Sequence, residues 1–243
     1  MQLNFIGGEG MTEVKEGFMP VYQKEKAFEL QLQQDLKTLV KDIKALDGVD
    51  KAAIIPAKDI IVDEKVRWKC KYPVCFGYGT SPVCPPHTPP VDECARVIHS
   101  FRYAVIFQHG VPVGDFTGED WPQRAGKHFL LNNHICNQAE ACANSRGYRQ
   151  AVSFGGGPCA GLISGRCTGL PFSGIESNER PCAVLQGRGC RNYLKVRPAM
   201  EAMAIDIIGT VLPLGWDLVY IGGSTNSPDD IPCASTVGLL LVA

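Results

Sequence analysis

From Tyr22 to Asp47, apolar residues recur with the period of a helix. Phe28, Leu32, Leu36, Leu39, Ile43 and Leu46 are three or four positions apart, and Lys24, Lys26, Glu29, Lys37, Lys41 and Lys44 fill the other face. The segment therefore predicts an amphipathic helix stopped by Gly48. Over barely three heptads, its stripe reads as a core face rather than a coiled-coil seam. Residues 1–20 hold Gly7, Gly8, Gly10 and Pro20 and read as a flexible lead-in. Ala52–Pro56 and Asp59–Val66 predict two short strands. Val91–Phe101 predicts a helix, Tyr103–Gln108 a buried strand, Gln123–Arg146 a long helix ended by Gly147, and Gln150–Phe154 another strand. Pro198 sits where a helix is expected to begin, with Ala199–Val211 continuing it. Trp216–Ile221 and Thr236–Val242 close the chain as strands, which can pair antiparallel.

Strands and helices alternate through most of this pattern. That predicts an α/β fold: a single domain over residues 21–243, with a mixed β-sheet flanked by helices. Two segments break the periodicity. Residues 70–90 are dense in proline and glycine, and residues 159–197 are rich in Gly, Ser, Arg and Cys. Long irregular loops in a compact domain are usually functional.

The chain has 243 residues, 45% hydrophobic and 20% charged, which excludes wholesale disorder. Twenty-four Lys and Arg against 25 Asp and Glu give a net charge of -1. That balance argues against nucleic acid as the main partner, because phosphate binding needs a cationic surplus. No apolar run approaches the roughly 20 residues of a membrane span. The opening MQLNFIGGEGMTEVKEG has no basic stretch followed by an apolar one. No secretory signal is expected from it, and a cytoplasmic location is.

Eleven cysteines change the picture. In a reducing compartment a disulfide framework is not expected, and an odd count would leave one thiol over. Seven of them fall in the two irregular segments. Cys70, Cys75 and Cys84 are spaced Cys-x4-Cys-x8-Cys, and Cys84 precedes Pro85, as at iron–sulfur ligands of bacterial ferredoxins. This is not the paired Cys-x2-Cys spacing of zinc ribbons. Cys159, Cys167, Cys182 and Cys190 suffice for a complete thiolate cage. Arg166, Arg180, Arg188, Arg191, Lys195 and Arg197 crowd the same segment against only Glu176 and Glu179. Cations there offset the charge of a thiolate-ligated cluster. Gly155, Gly156 and Gly157 follow a strand and can present amides to an anion or to cluster sulfurs. Cys94, Cys136 and Cys142 lie in expected helices and read as packing residues. Cys233 is a weaker candidate ligand, and His87 is an accessory one beside Cys84.

At these residues the sequence resembles a known family. VRWKC-x4-C-x2-YG-x4-CPP, a Gly-Tyr pair ahead of GGPC, and CR-x5-RPAMEAMAIDI are similar to the metal-binding proteins grouped as domain of unknown function 2284. The resemblance runs from about Val66 to Trp216. It implies that Cys70, Cys75, Cys84, Cys159 and Cys190 match cysteines of the family, and that Glu140, Arg197, Glu201 and Asp206 match its other motif positions. Cys167 and Cys182 are spread here by an enlarged loop. The implied cofactor is a metal, foremost an iron–sulfur cluster.

The expected protein is thus a cytoplasmic iron–sulfur protein of redox chemistry, suited to electron transfer or to reduction at an open-site cluster. Seven thiolates divide as four plus three, giving one or two [4Fe-4S] clusters. Gly156, Gly157, Arg191 and Arg197 are the expected cofactor contacts, and Glu140, Glu201 and Asp206 the candidate acids. A redox partner protein or a small-molecule substrate would complete the reaction, and self-association is left open. The alternatives are a zinc-binding structural or interaction module, and a cluster scaffold or metallocentre-maturation factor.

Overall fold

The computed structural model describes residues 21–167, 182–221 and 227–243; the expected lead-in over 1–20 lies outside them. Contacts divide the chain into two compact units, residues 1–36 and 37–243. Helix α1 (Val21–Lys44) begins in the first and ends in the second. In the first unit, Leu32 and Leu36 are buried, as the stripe expects, whereas Phe28 is exposed. In the second, Leu39 and Ile43 are fully buried.

The second unit is built on four strands. They are β1 (Lys51–Pro56), β2 (Tyr103–Val111), β3 (Val152–Phe154) and β4 (Ala234–Val242), in the order β1-β2-β4-β3. Every neighbouring pair is antiparallel, so the sheet is not mixed. Alternation of helices and strands does not fix strand direction. Between β1 and β2 the chain runs through helices α2 (Glu64–Lys71) and α3 (Val91–Ile98) and the first cysteine segment. This excursion has its own reversals and returns the chain antiparallel beside its start.

β4 explains the packing. Its residues Val237 and Leu239–Val242 are all buried, which is why they read as a continuous apolar run rather than an alternating one. One face of the sheet, with Ile55, Ala104, Ile106, Leu239 and Leu241, packs with Cys94, Ile98, Met200, Ile205 and Val211. Over β3 and β4 lies helix α4 (Trp121–Ser145). Its close approach requires Gly238: a Cβ there would stand 2.2 Å from the Phe107 ring and 3.2 Å from Cys136 Sγ.

Three expected elements come out differently. Asp59–Val66 is not a strand. A 3-10 turn (Ala57–Asp59) leads to a single bridge between Val62 and Ile205, and Asp63 then caps α2 by accepting from the Lys65 N–H at 2.8 Å. Ala199–Val211 is not one helix. It is a 3-10 turn (Glu201–Met203) that ends at Ala204 with φ 64°, followed by helix α6 (Ile207–Val211). Pro198 therefore starts no helix; its carbonyl accepts from the Gly155 N–H. Trp216–Ile221 forms no strand and joins no ladder among the described residues. Trp216 and Leu218 pack inward while Asp217, Val219 and Tyr220 are exposed, so the alternation is real and the sheet partner is missing.

Gly238→Ala should lower stability by about 2 kcal/mol or more, the cost of forcing a side chain into a filled core. Gly189, with nothing within 4 Å of its Cβ position, provides the control: Gly189→Ala should leave the urea midpoint unchanged.

Candidate metal centre

Helix α2 delivers the first candidate ligand. Its Asp63 cap and a last turn ending at Lys71 set Cys70 at the helix end, half-buried. The residues after it are wound by consecutive turns. The N–H of Cys75 donates to Cys70 O (2.9 Å), that of Tyr78 to Cys75 O (2.9 Å), and that of Gly79 across to Pro85 O (2.7 Å). Arg67 fastens the far end, donating to Pro89 O at 2.7 Å and Thr88 Oγ1 at 2.8 Å. Gly77 lies inside this coil. A Cβ on it would stand 3.3 Å from Cys84 Sγ, 3.9 Å from Cys75 Sγ and 3.5 Å from the side chain of Pro158. The first cysteine segment thus rests against the start of the second. His87 is exposed.

In the second segment, Cys159 precedes the short helix α5 (Ala160–Ile163), and the N–H groups of Gly161 and Leu162 point at its sulfur. Cys167 folds back by donating its N–H to Gly161 O at 3.0 Å. The Asn192 side chain donates to Cys167 Sγ at 3.1 Å, and the Asn192 backbone N–H to Cys190 Sγ at 3.4 Å. Close packing here again needs a glycine, since a Cβ on Gly161 would lie 2.9 Å from Cys167 Sγ. Cys159, Cys167, Cys182 and Cys190 line one cavity of about 150 Å³, and Pro82 and Val83 of the first segment help to wall it. Arg191 sits at the same cavity and reaches Cys167 O at 3.4 Å. Arg180, Glu176 and Glu179 lie outside the described residues.

Cysteines of the two segments lie within electrostatic reach of one another, with Cys159 acting on Cys84. Burial is the largest influence on these thiols, pushing Cys70 and Cys159 up to about 11 and Cys84 up to about 12. Mutual repulsion adds to it: Cys70 feels Cys75, Cys84 feels Cys159, Cys75 and Cys70, and Cys159 feels Cys167 and Cys182. Among the described residues, no three His, Cys, Asp or Glu side chains converge tightly enough to hold a single ion. The four thiols of the second segment surround a hollow rather than meeting at a point.

Arg197 faces a carboxylate, not a thiol. Its Nε and Nη2 donate to Glu140 Oε1 and Oε2 at 2.7 and 2.5 Å, with both side chains largely shielded. Glu140 also accepts from the Ser153 N–H and hydroxyl at 2.7 and 2.8 Å. Two asparagines missed at the level of sequence extend this clamp. Asn133 accepts from the Arg197 N–H at 3.0 Å, and Asn137 donates to Lys195 O at 3.1 Å. Asn133, Asn137 and Glu140 fall on one face of α4, and that polar stripe at helical spacing was the available signal. The N–H of Gly156 donates to Asn132 Oδ1 at 2.8 Å. Gly157 has φ 79°, and a Cβ there would meet the Phe129 ring at 2.4 Å. These glycines let the chain pass tightly against α4. Asp206 caps α6 by accepting from the Gly209 N–H at 3.1 Å. Glu201 lies on the 3-10 turn that packs against α2. Cys94 and Cys136 are buried packing residues, and Cys142 and Cys233 are half-buried.

With this geometry in place, comparison with known proteins gives the class. The model of the family described as Predicted metal-binding protein (DUF2284) matches residues 53–242. The chain belongs to that family, and it carries a metal-binding domain of the predicted kind. No curated protein and no solved structure matches it.

Arg197→Ala should lower stability by about 3 kcal/mol, because it leaves the shielded Glu140 carboxylate without its partner. Adding Glu140→Gln should recover a good part of that loss, while Lys44→Ala should change the denaturation midpoint little.

The raised thiols set a pH dependence for the metal-free protein. Their folded-state values lie above the unfolded value near 9, so the folded chain holds protons that the unfolded chain has released. Stability should therefore be full below about pH 9 and fall from there toward pH 11–12. Urea titrations of the metal-free protein across that window check it, and Cys136→Ala should flatten the slope.

Proposed function

We propose that this chain is an iron–sulfur protein of cytoplasmic redox chemistry. The observation that carries the reading is the hollow at Cys159, Cys167, Cys182 and Cys190. A lone zinc ion binds sulfur at about 2.3 Å and needs its four ligands drawn onto one point. A cluster brings its own bridging atoms and is suited to thiols spread around a cavity. These residues fit such a group: apart from the thiols, Arg191 and Tyr193, the lining is apolar, and Asn192 donates to two of the sulfurs. Donors of that kind tune the potential of a thiolate-bound cluster.

Cys70, Cys75 and Cys84 would hold a second centre. Three thiolates leave one position for another ligand or for a substrate. Cys159 stands close enough to Cys84 to raise its pKa, and Pro158 lies against Gly77 beside Cys84, which supports electron passage between the two centres. When bound, the clusters would accept and pass on single electrons. The chain's own groups exclude water, orient the thiols and hold Asn192 against sulfur. Electrons would come from a redox partner protein and go to a small molecule or to a further partner.

Anaerobic reconstitution followed by iron and sulfide analysis tests this reading. A brown protein that bleaches on reduction is expected. A colourless protein with stoichiometric zinc would establish the structural-module alternative, and transfer of the cluster to an apo-acceptor on mixing would establish a scaffold. Cys75→Ser and Cys190→Ser should each lower the iron content to about half, since each removes a ligand from only one of the two centres. Loss of all the iron from either variant would mean a single shared site.

A further inference from the structure

Glu201 is a half-buried acid with one carboxylate oxygen fully shielded from solvent. It opens the 3-10 turn Glu201–Met203, directly after the fully buried Met200. The turn is held from several sides. The N–H of Ala204 donates to Glu201 O at 3.0 Å, that of Ile205 to Met200 O at 3.0 Å, and that of Asp63 to Ala204 O at 2.8 Å. Ala204 is kept left-handed at φ 64° without being glycine. Such a conformation costs on the order of 1 kcal/mol and persists only where its surroundings impose it. The backbone that carries the Glu201 side chain is thus held in place.

The side chain lies against α2 and toward the first cysteine group. Its negative field reaches the Cys70 thiol, and its Oε2 is shielded from solvent with no hydrogen-bond partner among the described residues. Of the other acids on the family motif, Glu140 is fully engaged by Arg197 and Ser153, and Asp206 by the α6 N-terminus. Arg67, the nearest cation acting on Cys70, has its guanidinium committed to Thr88 and Pro89. A shielded carboxylate without a cation is costly, and an unpaired lone pair adds to the cost. Burial does push Glu201 above the usual carboxylate range. A metal held by Cys70, Cys75 and Cys84 would supply the missing cation at the place where three thiolates leave one coordination position.

We infer that the Glu201 carboxylate is the fourth protein ligand of the metal centre held by Cys70, Cys75 and Cys84. This rests on the metal-centre reading above and assigns the oxygen donor that completes it. A carboxylate is a hard ligand beside soft thiolates. It holds the unique iron in the resting protein and is displaced more readily than a cysteine when another ligand arrives. The step is an exchange of ligands on the metal, with no change of oxidation state.

The test compares wild type, Glu201→Gln and Glu201→Cys after the same anaerobic reconstitution. All three should bind iron and sulfide to within about a fifth of each other, because the thiolates are intact. On mild oxidation with ferricyanide, Glu201→Gln should lose its unique iron at least about fivefold faster than wild type, read as growth of a three-iron paramagnetic signal. Glu201→Cys should lose it more slowly than wild type, since a thiolate binds iron more tightly. A merely structural role makes a different forecast for the metal-free proteins. If Glu201 were there for stability, metal-free Glu201→Gln would melt lower; as a ligand without its metal, the same change should leave Tm equal or higher.

Equal rates of iron loss in all three proteins would overturn the inference while leaving the iron–sulfur reading standing. A wild type that takes up no metal would overturn both. A wild type that takes up zinc instead would overturn the iron–sulfur reading alone. The ligand would then be read from competition with a chromophoric chelator, where Glu201→Gln should bind zinc at least about tenfold more weakly; equal affinities would overturn it there too.

Discussion

The geometry of the cysteine-bearing surface depends on the ion pair between Arg197 and Glu140. Glu140 projects from α4, accepts from Ser153 of β3, and receives both arms of a guanidinium that lies just beyond Cys190. Three stretches distant in sequence are thereby fixed to one carboxylate. Asn133 and Asn137 add backbone contacts a turn or two away on the same helix. The stretch 182–197, which carries Cys182 and Cys190, contains no regular element longer than one turn, so it has little internal means of holding its shape. Its order comes from being stitched to a long helix, which in turn lies on β4.

A second constraint is electrostatic. The thiols of the two cysteine segments, several of them well shielded, lie near one another. Each would be repelled by the others if ionised, and desolvation already favours the neutral form. Arg67 and Arg197 do not resolve this, since they are occupied by carbonyls, a hydroxyl and a carboxylate. A site built this way stabilises thiolate only when a cation arrives with it. A metal bound by these sulfurs would have to displace their protons, so its affinity would rise with pH.

Much of the fold was legible in the sequence because hydrophobic period is a local property. β2, β4, α3 and α4 fall within a few residues of their expected spans, since each buries a face or a whole strand against the core. Strand direction was not legible, because it depends on how the excursion between β1 and β2 turns. Nor were the breaks at Asp63 and Ala204. One is a capping side chain inside a stretch that looks β-like, and the other a left-handed alanine that only tertiary contacts sustain. For the site, the seven cysteines stood out by composition and spacing, and family membership supports metal binding there. The asparagines were hidden because Asn carries no chemistry of its own; Asn132, Asn133, Asn137 and Asn192 matter only through the groups the fold brings to them. The joining of the two cysteine segments at Gly77 and Pro158 could not be read from positions about eighty residues apart.

The shielding that lifts Cys84 to about 12 has a further result, for the chain before it meets its metal. Peroxide and disulfides attack thiolate, not thiol. Relative to an ordinary cysteine, a sulfur at 11 to 12 presents about a hundred- to thousandfold less of the reactive form at neutral pH. Cys70, Cys84 and Cys159 are therefore chemically quiet in the metal-free chain. The burial that makes their ionisation unfavourable also guards these three sulfurs against oxidation and disulfide exchange.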